Sequence, residues 1–189
     1  MKSARMLGVN PNFQREENDF YATDPMAIEA ALPTLQRLGL QQDVWECACG
    51  QGHISKVLHE KGYRVKSSDL INRGFGEVQD FLTCNEPFKG DILTNPPFKS
   101  AVEFVKHGMG LIDAKAKIFL FLKIQFLESR ARKELFGQYP PKFVAVYSER
   151  QKCAMNGDFA SYCKNANTQC YAWFVFEKAF DGTPQILWI

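Results

Sequence analysis

Along most of its length the sequence alternates short apolar runs with longer amphipathic stretches, which leaves few architectures open. Asp43-Val44-Trp45-Glu46-Cys47 reads as a short buried strand, followed by Gly50-Gln51-Gly52 and a helix through Leu58. Tyr63 to Ser67 reads as a strand ending at Asp69, Asp91 to Thr94 as another, and 99–110 as a helix. Lys117 to Lys123 is a strongly apolar strand, and 126–137 is a helix carrying Arg130, Arg132 and Lys133. Phe143 to Tyr147 and Tyr171 to Phe176 are the last two strands. Strands alternating with helices predict a doubly wound α/β sheet. Upstream, Thr23-Asp24-Pro25 starts a helix, because Asp24 or Thr23 can cap free N–H groups and Pro25 suits the first helical position. Ile28, Ala31, Leu32, Leu35 and Leu38 then share one face, while Pro33 allows a kink or early break.

A chain of 189 residues has room for one domain, and 46% hydrophobic residues supply a core, which excludes disorder for most of it. The net charge of +2 is too near balance to indicate a nucleic-acid partner by itself. No apolar run approaches a membrane span, and the N-terminus leads into polar sequence, so a cytoplasmic protein without disulfides is expected. Residues 1–19 read as an arm with weak structure, ahead of a domain over 20–189. The polar connection 148–169 has no obvious helix, and loops of that length are usually functional or mobile.

The turn Ala48-Cys49-Gly50-Gln51-Gly52 stands at the carboxyl end of a strand, where open sheets bind ligands. It is not a P-loop, since no Gly-Lys-Ser/Thr follows, and Ser55 replaces the third glycine of a dinucleotide fingerprint. Asp69, at the end of the next strand, can accept from both ribose hydroxyls, and Asp80-Phe81 offers an acceptor beside an apolar ring. The pattern describes a site for a nucleoside without a pyrophosphate. The turn can equally be structural, and either acid can be a solvated loop residue.

Asp91-Ile92-Leu93-Thr94-Asn95-Pro96-Pro97-Phe98 is the most specific element. The strand runs into two prolines, which fix backbone direction and remove two N–H donors. The Asn95 side-chain oxygen and the Pro96 carbonyl remain as acceptors, and Phe98 offers a ring. Such a set suits a flat group bearing an –NH2. A nucleobase amine is a poor nucleophile because its lone pair is delocalised into the ring. Accepting both of its protons favours a pyramidal nitrogen able to attack a methyl donor.

These residues resemble the S-adenosylmethionine-dependent amino-methyltransferases with an Asn-Pro-Pro-Phe motif. Phe20-Tyr21-Ala22-Thr23-Asp24-Pro25, Glu46-x-Ala48-Cys49-Gly50-x-Gly52 and the motif at 95–98 stand in the family's order. Phe126-Leu127-Glu128-Ser129, Pro140-Pro141 and Tyr171-Ala172-Trp173-Phe174 look like small phage and prophage DNA N6-adenine methyltransferases. The resemblance covers about residues 18–189. It implies a single-domain Rossmann-like class I fold, with a seven-stranded, mostly parallel sheet whose last strand is antiparallel and helices on both faces. It implies S-adenosyl-L-methionine as cofactor, with Phe20, Tyr21, Thr23 and Asp24 over its methionine part. Glu46, Ala48, Gly50 and Gly52 border the amino acid and sulfonium end, Asp69 and Leu70 the ribose, and Asp80 with Phe81 the adenine. Asn95, Pro96, Pro97 and Phe98 hold the target amine and base.

No separate target-recognition domain is expected, so a nucleic acid, DNA first, must be held single-stranded or with its base flipped out, or by help from a partner protein. Lys123 to Lys152 carries seven cations against three acids, and Lys123, Arg130, Arg132, Arg150 and Lys152 are candidates for phosphate contacts. The 148–169 loop interleaves Arg150, Lys152 and Lys164 with Phe159 and Tyr162, as a strand-binding edge would. Cys153, Cys163 and Cys170 are irregularly spaced without Cys-x-x-Cys, so no metal is expected. The expected activity is methyl transfer to adenine N6. Rival readings are the same chemistry on cytosine N4, guanine N2, adenine in RNA or a protein glutamine, and a nucleotide- or nucleic-acid-binding module without turnover.

Overall fold

Each apolar run of the sequence becomes a strand of one sheet, and each amphipathic stretch a helix laid on it. The computed structural model describes residues 20–151, 153–155, 157, 159 and 169–189. In chain order these form β1 (Tyr21–Thr23), α1 (Pro25–Arg37), β2 (Asp43–Glu46), α2 (His53–Glu60), β3 (Arg64–Asp69) and β4 (Glu77–Val78). There follow β5 (Asp91–Thr94), α3 (Ala101–Leu111), β6 (Lys117–Lys123), α4 (Arg130–Gln138), β7 (Phe143–Val146), β8 (Cys153–Met155), β9 (Tyr171–Glu177) and β10 (Gln185–Trp188).

The main sheet has the order β10-β7-β9-β6-β5-β2-β3-β4, while β1 and β8 pair separately as an antiparallel ribbon. All pairings in the main sheet are parallel except those of β9, which runs antiparallel to β6 and β7. Two expectations are thereby corrected. The sheet has eight strands instead of seven, and the antiparallel strand is next to last, with β10 closing the chain parallel to β7. The physical reason is that β10 is a short edge strand that follows β9 with no helix between, so its apolar run Ile186-Leu187-Trp188-Ile189 stands outside the strand–helix alternation, with Ile186 and Trp188 exposed. Within the 148–169 connection, β8 pairs Cys153 with Thr23 and Ala154 with Ala22.

The period-two alternation of the strands divides two cores. Trp45, Ile92, Ile118, Leu120, Leu122, Phe174 and Phe176 face α3 and α4, together with Phe104, Met109 and Leu135. Val44, Leu93, Phe119, Phe121, Trp173 and Val175 face α1 and α2, against Ile28, Leu35, Val57 and Leu58. The two buried indoles are each satisfied: Trp45 Nε1 donates to Ser68 Oγ (2.9 Å) and Trp173 Nε1 to the Tyr147 hydroxyl (2.7 Å). Asp24, not Thr23, caps α1, its Oδ1 accepting from Met26 N at 3.0 Å. The break that Pro33 allows does not occur; α1 runs through it, and Pro33 is exposed, so the carbonyl it leaves unpaired can be hydrated. No helix among the described residues is long and apolar enough to cross a membrane. The arm expected over 1–19 lies outside the described residues.

Asp91 locks the amino ends of three strand segments together. Fully buried, its carboxylate accepts from Gln41 N (2.7 Å), Gln41 Nε2 (3.1 Å) and Lys117 N (2.7 Å). Burial pushes its pKa up against the pull of those bonds. Replacing it by alanine strands buried donors and should cost about 3 kcal/mol of unfolding free energy in urea titration. A loss below about 1 kcal/mol would show that water fills the gap.

Candidate active site

The strand order reverses between β2 and β5, and the side chains at the carboxyl ends of β2, β3 and β5 line a cleft of about 480 Å³. Cys47 and Ala48, which open the turn between β2 and α2, form part of its lining. Gly50 and Gly52 hold positive φ of 55° and 78°, which side-chain-bearing residues rarely adopt. A Cβ on Gly50 would lie 2.0 Å from the Phe20 ring, and one on Gly52 would lie 2.4 Å from the Phe75 ring. Gly52 is also the N-cap of α2 and has no side chain to offer. The carboxyl of Glu46 does that work from the end of β2, accepting from Ser55 N at 2.8 Å and pairing with the Ser55 hydroxyl. Glu46 is fully buried, and this desolvation, with Asp69 nearby, pushes its pKa up to about 8 against the Ser55 hydrogen bonds.

Asp69 ends β3 and ties its own loop to the turn. Oδ2 accepts from Gly50 N (2.8 Å) and Oδ1 from Ile71 N (3.0 Å), so each oxygen keeps a lone pair. Asp80 caps the short 3-10 turn Phe81–Thr83 by accepting from Leu82 N at 2.9 Å. The Phe81 ring packs between Trp45 and Phe104, at centroid distances of 5.3 and 4.8 Å.

Asn95 follows β5, and its amide is clamped by β1. Nδ2 donates to the Tyr21 carbonyl (2.9 Å) and to Thr23 Oγ1 (3.0 Å). A backbone carbonyl can only accept, so the amide has one consistent orientation, with both N–H bonds turned to β1 and Oδ1 left as acceptor. Pro96 is buried and Pro97 exposed, and the Pro97 carbonyl accepts from Ser100 N (2.9 Å) as the chain turns into α3. The Phe98 ring lies 6.4 Å from Tyr21 at an interplanar angle of 22° and 6.4 Å from Tyr171, with Lys123 Nζ 5.0 Å from its centroid.

Most residues expected at the site meet here. Phe20, Tyr21, Ala48, Asp69, Leu70, Asp80, Phe81, Asn95, Pro96, Pro97, Phe98 and Lys123 line the cleft. Thr23 and Glu46 line a small adjoining recess that shares Phe20, Tyr21, Ala48 and Asn95 with it. Gly50 and Gly52 form the turn, and Asp24 serves as the cap of α1. The basic residues divide differently. Arg132 donates to the carbonyls of Gln125 (2.6 Å) and Glu128 (3.0 Å) and lies over Phe126, bracing the start of α4. Arg130 and Arg150 are exposed and do not line the cleft, and Lys152 lies outside the described residues, as do Tyr162, Cys163 and Lys164. Sequence reasoning missed Arg73 and Lys99, which line the cleft. It also missed the clamp on Asn95, whose partners lie 72 and 74 residues away. In the recess, His53 Nδ1 is buried with no hydrogen-bond partner among the described residues, and burial beside Lys56 lowers the ring's pKa.

No protein-family model matches the chain, and no curated protein matches it in sequence. Solved structures do. A candidate RNA methyltransferase from Pyrococcus horikoshii superposes with a TM-score of 0.62 at 13% identity, covering 94% of this chain and 96% of its own. A candidate class I S-adenosylmethionine-dependent methyltransferase from Listeria monocytogenes gives 0.58 at 13%, covering 97% and 68%. Magnesium protoporphyrin IX methyltransferase from Synechocystis PCC 6803, solved with S-adenosylmethionine bound, gives 0.55 at 12%, covering 82% and 79%. The chain has the class I methyltransferase fold. At these identities the likeness speaks for the fold and leaves chemistry to the site.

Glu46 sets a pH dependence. Its folded pKa lies above the ordinary 4.5, so the native state holds a proton that the unfolded chain gives up. Its stabilising contribution is complete below pH 4.5 and is lost as pH rises through about 8. Thermal melts should show Tm falling from pH 6 to 9 in the native sequence and a flatter profile in Glu46→Gln. Parallel profiles would place the titrating group elsewhere.

Proposed function

We propose that this chain transfers a methyl group from S-adenosylmethionine to the exocyclic N6 amine of adenine in nucleic acid, with DNA as the acceptor. The observation that carries the reading is the Asn95 amide, oriented by β1 so that its oxygen can only accept. Such an oxygen, paired with the Pro96 carbonyl and beside the Phe98 ring, matches a planar group with two N–H bonds. Bound S-adenosylmethionine would supply an electrophilic methyl on a cationic sulfur.

The residues present fit that cofactor. Asp69 retains a lone pair on each oxygen for ribose hydroxyls, and Asp80 keeps acceptor capacity beside Phe81 for an adenine edge. The glycine turn leaves room for the Phe20 ring, which lines the cleft. Thr23, Glu46 and His53 line the recess next to Asn95, where a methionine ammonium and carboxylate would find polar partners.

The work of the acceptor side belongs to three residues. Asn95 Oδ1 and the Pro96 carbonyl each accept one amine proton, which draws the nitrogen lone pair out of conjugation. Phe98 fixes the plane of the base by stacking. No base is needed before attack, because an amide oxygen suffices to orient the amine and the proton leaves afterwards to water. Asn95 therefore acts on the reacting nitrogen, and Asp69 and Glu46 act on the cofactor end.

The test is methyl-labelled cofactor offered in parallel to single-stranded DNA, duplex DNA, RNA and a glutamine-bearing protein. Label in DNA adenine is expected; label only in protein or only in another base would overturn the assignment, and cofactor binding without transfer would favour a binding module. Asn95→Ala should lower kcat by about 100-fold or more while cofactor Kd stays within a few fold. An equal loss of cofactor affinity would contradict the division of the site.

A further inference from the structure

We infer that His53 selects the methyl donor by its α-ammonium, Nδ1 of the ring accepting from that group inside the recess shared with Glu46 while the α-carboxylate stays outside; this rests on the cleft being the S-adenosylmethionine site. His53 opens α2 directly after the glycine turn, and its ring is held between two others. Phe20 lies at a centroid distance of 6.4 Å and an interplanar angle of 31°, and Phe159 packs edge-on at 5.4 Å and 67°. A Cβ on Gly157 would lie 3.6 Å from Cε1 of the imidazole, so the 148–169 connection passes close over the ring. Held in this way, Nδ1 is buried with no hydrogen-bond partner among the described residues. Buried polar atoms in folded proteins are nearly always paired, so an orphan in a ligand recess marks a place for a ligand atom.

Size and charge decide which atom that is. The recess has a volume of about 10 Å³, room for one water-sized centre. An ammonium nitrogen is of that size, and a carboxylate with its two oxygens is not. Glu46 lines the same recess, and its Oε2 is already engaged by Ser55 at the start of α2. Among the described residues it has no ion-pair partner, and burial pushes its pKa up to about 8, so the missing countercharge is a cation. A carboxylate seated here would face the Glu46 carboxyl instead. Burial, and then Lys56, lower the His53 pKa against the smaller opposing pull of Asp24, so the ring stays neutral. A neutral imidazole with its proton on Nε2 keeps a lone pair on Nδ1 for an ammonium N–H.

Titration calorimetry with S-adenosylhomocysteine and two analogues tests this, one analogue lacking the α-amino group and the other the α-carboxyl group. His53→Phe keeps a ring between Phe20 and Phe159 and removes the nitrogen. It should weaken S-adenosylhomocysteine about tenfold, and the analogue without the carboxyl group by the same factor. Affinity for the analogue without the amino group should match that of the native protein, which also shows that the variant is folded. An equal loss for the analogue without the amino group would reduce His53 to a support of the turn. A loss seen only with ligands that keep the carboxyl group would assign the ring to the opposite end. Unchanged affinity for S-adenosylhomocysteine would leave Nδ1 to a water. Each of these three results overturns the assignment of His53 while the cofactor reading stands; native protein that binds none of the three ligands would overturn both.

Discussion

The clamp on Asn95 is the interaction on which the remaining site depends. An asparagine at the end of a strand can present either its oxygen or its nitrogen, and only neighbours decide which. The Tyr21 carbonyl and Thr23 hydroxyl take both amide N–H bonds, so the oxygen is what remains. This explains why β1, a three-residue strand outside the main sheet, matters to a cleft formed by β2, β3 and β5. β1 is in turn held by β8, which pairs with it residue for residue, and by α1, whose cap Asp24 follows immediately. The Asn95 side of the cleft is therefore built from segments far apart in sequence, while the Glu46 and Asp69 side is built from consecutive βα units.

The two ends also differ in electrostatics. At the cofactor end, carboxyls work as backbone acceptors: Glu46 stands in for the missing cap of α2, Asp69 ties the glycine turn to β3, and Asp80 starts the 3-10 turn. Backbone N–H groups of the adjoining turns hold all three carboxyls in place. Around the Asn-Pro-Pro-Phe turn the polar groups are neutral amide and carbonyl oxygens, and Lys99 and Lys123 line the same cleft.

Local signals made the frame legible and left its closure obscure. The strands β2, β5, β6 and β9 are buried on both faces, so their apolar runs stand out, and the glycine turn and Asn-Pro-Pro-Phe element follow directly from them. β10 escaped because its apolar run Ile186-Leu187-Trp188-Ile189 follows β9 with no helix between and so falls outside the alternation, and β1 and β8 because three residues are too few for a period. The antiparallel strand was legible as a strand, but its place between β6 and β7 is a pairing across some fifty residues and not a local property. Arg132 looked like a phosphate contact because its charge is visible in sequence, whereas the carbonyls of Gln125 and Glu128 that engage it are not.

Thr23 gives the central claim its most direct measurement, since it can act on the amine only through Asn95. Valine at this position keeps the shape and removes the oxygen that takes one amide N–H bond. The rate of N6-methyladenine formation at saturating cofactor and DNA, where a change in cofactor affinity does not count, should fall about tenfold in Thr23→Val. Absence of N6-methyladenine from the native reaction, or a Thr23→Val enzyme as fast as the native one, would contradict the account.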